Sequence, residues 1–378
     1  MKVKSLVLMA LVATMGLVSC NKDENEGGMK TDTMPKSVTI KLPNIQKTVQ
    51  SRATGNAMEG GSQVALENFK VFFVDADGNL QTVPQYEGKD QQVYFSKTDA
   101  DWTEIGENGK GITYHFLPAA TSKVIVVGNI SNVDYATIAT RIDAIPNDNQ
   151  SDHPAYPLYG EDELVEKTVA GSEIHDNVYT ASVTLEPRVS RFEIYGFQYT
   201  QEGTAPKYAS VKLQKIALNN YYTQSNFVSK LPVDGTKVFE TIEHAKVWGW
   251  IEDRTAPWAD ALNLELAVGD KKFVNGTDIT DPNEDGEKAT GIITYGLAHV
   301  TDAAKNPELL LALRGVNGSS EVPLYLRGQF THESAFTSGK IYRVLYSFTD
   351  GDFDEPERCV ELNVDVADWT VVAVSPEF

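Results

Sequence analysis

Short runs in which apolar and polar residues alternate, separated by clusters of Gly, Asn, Asp, Ser and Pro, dominate the chain from residue 37 onward. A period of two places every second side chain on one face, so such runs predict strands with one buried side. The first spans residues 37–42, with Val38, Ile40 and Leu42 on one face, and Pro43 ends it. Residues 44–61 carry Gln, Ser, Thr, Asn and Gly around Arg52-Ala53, which predicts an exposed linker that a protease can reach. Strands follow over 69–74, 93–95, 112–117, 123–127 and 178–185. After the first of these comes Asp75-Ala76-Asp77-Gly78-Asn79, whose Asp-Gly pair tolerates the positive φ of a tight hairpin. One helix is predicted over 133–141, because Tyr135, Ile138 and Ile142 share a face.

A second series begins at Arg188, with strands over 191–197, 210–218, 291–295, 309–313, 323–328 and 340–348. Two more, over 359–366 and 369–374, close the chain. Each series holds enough strands for its own β-sandwich, which places a boundary near Glu186-Pro187 and predicts domains over 53–187 and 188–358. Residues 359–378 are a C-terminal strand segment. No long amphipathic helix or helical repeat is predicted, which argues against an α-solenoid glycan-binding lipoprotein.

Charge narrows the partners. The 378 residues carry 33 Lys and Arg against 53 Asp and Glu, a formal charge of −20, and a surface that acidic repels polyanions. Nucleic acid is excluded as a partner. Two Cys allow no disulfide framework.

The N-terminus has the three-part layout of an export signal: Lys2 and Lys4, an apolar run over 6–18, then a small residue before a cysteine. Leu17-Val18-Ser19-Cys20 resembles a bacterial lipoprotein cleavage box. That likeness implies a signal peptide over 1–19 and a lipidated Cys20 as the mature N-terminus. Several acyl chains, at about 0.8 kcal/mol per buried methylene, anchor a protein on a membrane. The acidic stretch Asn21-Lys22-Asp23-Glu24 resembles a tag for export to the outer face of the outer membrane. Residues 20–52 then form a pro-segment containing the first strand. Cys359 reads as a buried strand thiol rather than a nucleophile.

No constellation points to catalysis. His115, His153, His175, His244, His299 and His332 are scattered, with no pair at helical metal-ligand spacing, and no Gly-x-Ser-x-Gly elbow occurs. The stretch Gly106 to Gly111 lacks the spacing of a phosphate loop and reads as a strand turn. Asp281 to Gly286 has the early spacing of a calcium loop, but its twelfth position is Ile292 where a bidentate Glu is required. Asp350, Asp352, Asp354, Glu355 and Glu357 read as an exposed acidic loop. The chain is therefore expected to be no enzyme and to hold no metal or cofactor. Trp248, Trp250 and Trp258 could form a sugar-stacking platform, which would make the protein a lipid-anchored glycan-binding module. The same spacing also suits a core or an interdomain seam.

Taken in order, these features resemble the fimbrillins, the type V pilins of Bacteroidetes. The likeness is carried by the lipobox at Cys20, the strand ahead of Arg52-Ala53, and the hairpin Phe72-Phe73-Val74-Asp75-Ala76-Asp77-Gly78. Further support comes from the junction Val183 to Arg191, the segment Ser338-Gly339-Lys340-Ile341-Tyr342-Arg343-Val344, and the ending Val364 to Val372. The resemblance implies two tandem transthyretin-like β-sandwiches in an all-β chain without enzymatic activity. It also implies a surface precursor at the outer membrane, cut after Arg52 by an Arg-specific or trypsin-like protease, that polymerises with other pilin subunits into an adhesive fimbrium. A harmless linker Arg is the alternative at that position.

The physics of such a route is independent of the family. Removing Val38, Ile40 and Leu42 would uncover an apolar groove and unpaired backbone groups, which another strand must fill. The best donor is the tail, where Val360, Leu362, Val364 and Val366 alternate and Trp369, Val371 and Ala373 continue. The same residues could instead be the last strands of the second sandwich.

Overall fold

A computed structural model of the protein describes residues 34–41, 66–83, 85–86, 89–90, 93–99, 112–130, 134–138, 142–143, 156–167 and 177–222. It further describes 224–231, 233, 237–238, 259–275, 278–280, 292–297, 307–330, 336–354 and 359–368. The N-terminal strands are β1 (Lys36–Lys41), β2 (Asn68–Asp75), β3 (Gln85–Tyr86), β4 (Lys89–Asp90), β5 (Tyr94–Ser96) and β6 (Ile112–Leu117). They continue with β7 (Thr121–Gly128), β8 (Ile142–Asp143), β9 (Leu158–Glu163), β10 (Val165–Glu166), β11 (Val178–Ser182) and β12 (Glu186–Pro187). Of the helix expected over 133–141, the described part is the single turn α1 (Tyr135–Ile138).

The C-terminal set opens with β13 (Ser190–Thr200), β14 (Ser210–Asn219), β15 (Tyr221–Tyr222), β16 (Gln224–Ser225), β17 (Lys237–Val238), β18 (Ala259–Ala267) and β19 (Lys271–Asn275). It ends with β20 (Asp278–Thr280), β21 (Ile292–Gly296), β22 (Glu308–Asn317), β23 (Ser320–Gln329), β24 (Lys340–Thr349), β25 (Cys359–Glu361) and β26 (Asn363–Asp368). Among the described residues no helix is long and apolar enough to cross a membrane.

The strands form two sandwiches. In the first, a sheet ordered β10-β11-β1-β6-β3-β4 faces one ordered β12-β9-β7-β2-β5. Val38 and Ile40 join Phe69, Phe73, Tyr114 and Val124 in the core between them. The second sandwich stacks β20-β19-β13-β24-β26, with β21 also on β13, against β18-β14-β22-β23-β25. Its core holds Phe192, Ile194, Phe197, Leu311, Tyr346 and Leu362. The fold is all-β with two tandem sandwiches, and the chain passes from β12 of one to β13 of the other through Arg188-Val189.

Both faces of β2 are covered over Val71 to Val74, which explains the unbroken apolar run there. Phe69, Val71 and Phe73 face the sandwich core, whereas Phe72 and Val74 join Ile125, Tyr159, Phe227, Leu297 and Ile341 in a cluster spanning the two domains. At that seam the Arg188 guanidinium lies 4.5 Å over the Tyr159 ring, and Tyr159 meets Phe227 edge-on at 5.8 Å. Glu186 accepts from Lys230 Nζ at 3.0 Å and pairs with Arg188 at 3.4 Å.

Two expectations change. The acidic cluster at 350–357 is not simply an exposed loop: Asp350 is buried and accepts from the backbone N–H of Glu202 (2.6 Å) and Lys207 (2.8 Å), tying down the loop after β13. Phe353 is buried beside it, in a 3-10 turn over Gly351–Phe353. The run over 359–366 is two strands, not one, because β25 and β26 belong to opposite sheets. The chain crosses the core edge at Leu362, whose N–H donates to the Gln329 carbonyl at 3.2 Å.

Candidate functional site

β1 is an interior strand of its sheet. It pairs antiparallel with β6, Val38 opposite Tyr114 and Ile40 opposite Ile112. On its other side it runs parallel to β11, with Val38 beside Tyr179 and Ile40 beside Ala181. Val38 and Ile40 have no exposed surface. Full burial of each such side chain contributes roughly 1.5–3 kcal/mol relative to leaving it in water.

The residues around them fix the strand from its polar side. Lys36 Nζ donates to the Thr121 carbonyl at 2.6 Å and lies 4.7 Å over the Tyr179 ring. Ser37 Oγ is 3.0 Å from His115 Nδ1, Ser37 N donates to the Asn177 carbonyl at 3.0 Å, and Thr39 Oγ1 meets Thr113 Oγ1 at 3.1 Å. Opposite Ser37, β6 carries one extra residue, so that Lys36 faces Leu117 while Val38 faces Tyr114. Within this bulge Phe116 adopts a φ of 59° and leaves 60% of its surface exposed.

β1 is joined to β2 only through residues 42–67. Its counterpart in the second sandwich is β13, which also runs parallel to a late strand, β24, and antiparallel to β21 and β19. β13 is eleven residues long and enters directly from the interdomain crossing. The two domains thus place their first strands alike.

At the other end of the chain, Val360 and Leu362 are buried in the second core and Val364 packs against it. β25 runs parallel to β23, and among the described residues β26 is the outermost strand of its sheet, with Val364 opposite Val344 and Val366 opposite Tyr342. These four residues therefore serve as strands of their own domain. Leu42, Arg52, Ala53, Cys20, Trp369, Val371, Ala373, Trp248, Trp250 and Trp258 lie outside the described residues. Among the described residues, no group of three His, Cys, Asp or Glu side chains could hold a metal.

The sequence predicts β1 and, over 112–117 and 178–185, the strands beside it, but not their pairing. The parallel pairing with β11 joins segments far apart in the chain, and the histidine beside Ser37 carries no local motif. Nothing in the residues around Phe116 signals a left-handed backbone, since the special turn residues Gly, Asn and Asp are absent from 112–117.

No protein-family profile matches the chain. No curated protein matches it either. Solved structures do: a candidate cell adhesion protein from Bacteroides eggerthii has a TM-score of 0.53 at 14% identity, over 91% of this chain and 98% of the other. A candidate cell adhesion protein from Parabacteroides distasonis gives 0.49 at 13% identity, over 90% and 98%. A fimbrilin from Porphyromonas gingivalis gives 0.44 at 12%, over 90% and 99%. The first of these likenesses establishes a shared fold along nearly the whole of both chains.

Proposed function

We propose that the protein is the precursor of a structural subunit of a surface fibre, a pilin, built by exchange of β1 for a strand from a neighbouring copy. The observation that carries this reading is the position of β1: interior to its sheet, fully buried at Val38 and Ile40, yet followed by the linker that contains Arg52. Cleavage after Arg52 turns a covalent strand into a dissociable peptide. Its departure leaves β6 and β11 with open ladders around an apolar groove, a state that water does not satisfy. A strand supplied in trans restores both ladder and burial. Donor and groove are different segments of one subunit, so the contact is head-to-tail and, repeated, propagates as a filament.

In this reading Cys20 carries lipid that holds the precursor on the outer membrane, an Arg-specific or trypsin-like protease releases it, and the fimbrium supports adhesion. The fold shared with a candidate cell adhesion protein supports a surface role. Limited trypsin treatment of the purified precursor tests the proposal. A single cut near Arg52 followed by a ladder of oligomers is expected. A cut protein that stays monomeric and binds polysaccharide would favour the glycan-binding alternative through Trp248, Trp250 and Trp258.

A further inference from the structure

The outer face of the sheet formed by β2, β7 and β9 changes character from one side to the other. Leu80, Val74, Lys123 and Glu163 stand in register across it, and Phe72, Ile125 and Glu161 form the next row. Directly paired residues point to the same side of a sheet, so this face is apolar along β2 and acidic along β9. A cavity of about 670 Å³ lies over it, within the size range of ligand pockets. Val74, Ile125, Ile138 and Val228 line its apolar side, and Lys123, Glu161 and Glu163 its polar side. α1 walls it near β2, where the Tyr135 ring lies 5.8 Å from Phe72 and its hydroxyl donates to the Gly78 carbonyl at 2.6 Å. Val228 reaches in from the second domain on a turn held by the Asn226 side chain, which accepts from the N–H groups of Val228 and Ser229. Val228 and, beyond Val74, Leu80 keep much of their apolar surface in water.

Most charged groups of the wall already have partners. Asp75 accepts from the backbone N–H of Asp77 and Asn79 and from the side chains of Asn79 and Gln81, all within its own turn. Lys36 donates to the Thr121 carbonyl, Lys123 pairs with Glu161 at 3.2 Å, and the Tyr159 hydroxyl donates to Glu161 at 2.7 Å. Glu163 differs: among the described residues its carboxylate has no hydrogen bond or ion pair, although Lys123 faces it across the ladder. Two lysines, Lys36 and Lys123, stand against three carboxylates, Asp75, Glu161 and Glu163, so the wall carries a formal charge of −1 in a chain of −20.

We propose that this cavity binds a primary alkylammonium group, its alkyl stem on Val74, Ile125 and Val228 and its charge at Glu163 beside Glu161. An ammonium brings three donors to a carboxylate that has none, and the stem gains by leaving water for the apolar side. The acidic field of the whole chain concentrates cations near the site. A carboxylate ligand of the same length meets two carboxylates instead, and an alcohol brings the stem without the charge. Glu161 and Glu163 are exposed, so the ion pair contributes modestly and selectivity for the amine is a matter of a few fold. The same group on the same stem occurs in free alkylamines and in the lysine side chain of another protein. The face belongs to β2, β7 and β9, so the site stands apart from the strand-exchange reading.

Titration of the full precursor, methyl-labelled at Ile, Leu and Val, with n-pentylammonium chloride tests the site by NMR. The methyl signals of Ile125, Ile138 and Val228 should shift and saturate, whereas 1-pentanol should bind about threefold more weakly and pentanoate more weakly still. Glu163→Gln should lower the amine affinity about threefold and leave the melting temperature unchanged. Lys123→Met should raise it, because Glu161 loses its competing partner, whereas a lysine that only shaped the wall would not act in that direction. N-acetyl-lysine N-methylamide separates the two sources: shifts at the same methyls assign the site to a partner's lysine as well, and shifts with pentylammonium alone assign it to a free amine. Pentanol or pentanoate binding as tightly as the amine, an unchanged affinity in Glu163→Gln, or no shift at the three residues with either amine would overturn the proposal.

Discussion

Val38 and Tyr179 stand side by side in a parallel pair, joining the first strand to one from the far end of the same domain. The sheet therefore closes only when β1 is seated, and the first sandwich depends on a strand that its own core-forming segment, from β2 to β12, does not contain.

Ile40→Ala follows from that dependence. Ile40 has no exposed surface, and truncating a buried Ile to Ala typically costs about 2–5 kcal/mol. The uncleaved precursor should lose stability in that range by urea denaturation, and its β1 peptide should leave faster after cleavage. A change below about 1 kcal/mol would mean the groove does not hold Ile40 tightly.

Arg52→Ala separates processing from folding. A linker substitution of this kind usually changes stability by under about 0.5 kcal/mol. The variant should melt like wild type and fail to polymerise when treated with an Arg-specific protease. Polymerisation at the wild-type rate would place the processing site elsewhere.

Asp350 gives a pH dependence with a defined sign. Burial pushes its carboxyl upward, but the N–H groups of Glu202 and Lys207 outweigh it and hold the group below its usual range. The unfolded chain therefore binds the proton more readily, so the contribution is fully present above the ordinary Asp range near pH 4 and fades as pH falls through the lowered folded value. Asp350→Ala should cost about 1.5–3 kcal/mol at pH 7, with the difference from wild type shrinking in acid. A difference that stays constant from pH 7 down to pH 3 would contradict the assignment.

Arg188→Ala tests the seam. Losing the guanidinium from the Tyr159 face and from Glu186 should loosen the two domains and split one calorimetric transition into two. A single unchanged transition would show that the apolar cluster of Phe72, Phe227 and Ile341 couples the domains by itself.

β1 was legible because one of its faces is buried and the other wet, as at Val38 and Ile40, and alternation is a local signal, whereas β18 was not among the expected strands although Leu264 and Leu266 alternate there with exposed Glu265 and Ala267. β2 was legible as a strand but its second role was not: Phe72 and Val74 are apolar because another domain covers them, and a run of apolar residues does not say what covers it. Burial of Asp350 was hidden for the opposite reason. A carboxylate among other acids reads as solvated, and the two N–H donors that compensate it come from a loop nearly 150 positions earlier in the chain. The break at Leu362 was equally invisible, since Val360, Leu362 and Val364 keep a period of two across a change of sheet. Of the candidate site, Val38 and Ile40 were found from pattern alone, whereas His115, Tyr179 and the Phe116 bulge required the topology.

In the proposed assembly β1 leaves and a strand from another copy replaces it. The most direct measurement follows both partners at once: native mass spectrometry and electron microscopy of the precursor and of a variant lacking residues 369–378, each cut after Arg52. Wild type should shed the peptide that contains Val38 and Ile40 and form filaments. The shortened variant should keep its cooperative melt yet form none. A cut wild-type protein that retains the peptide and stays monomeric, or a shortened variant that still forms filaments, would contradict the account.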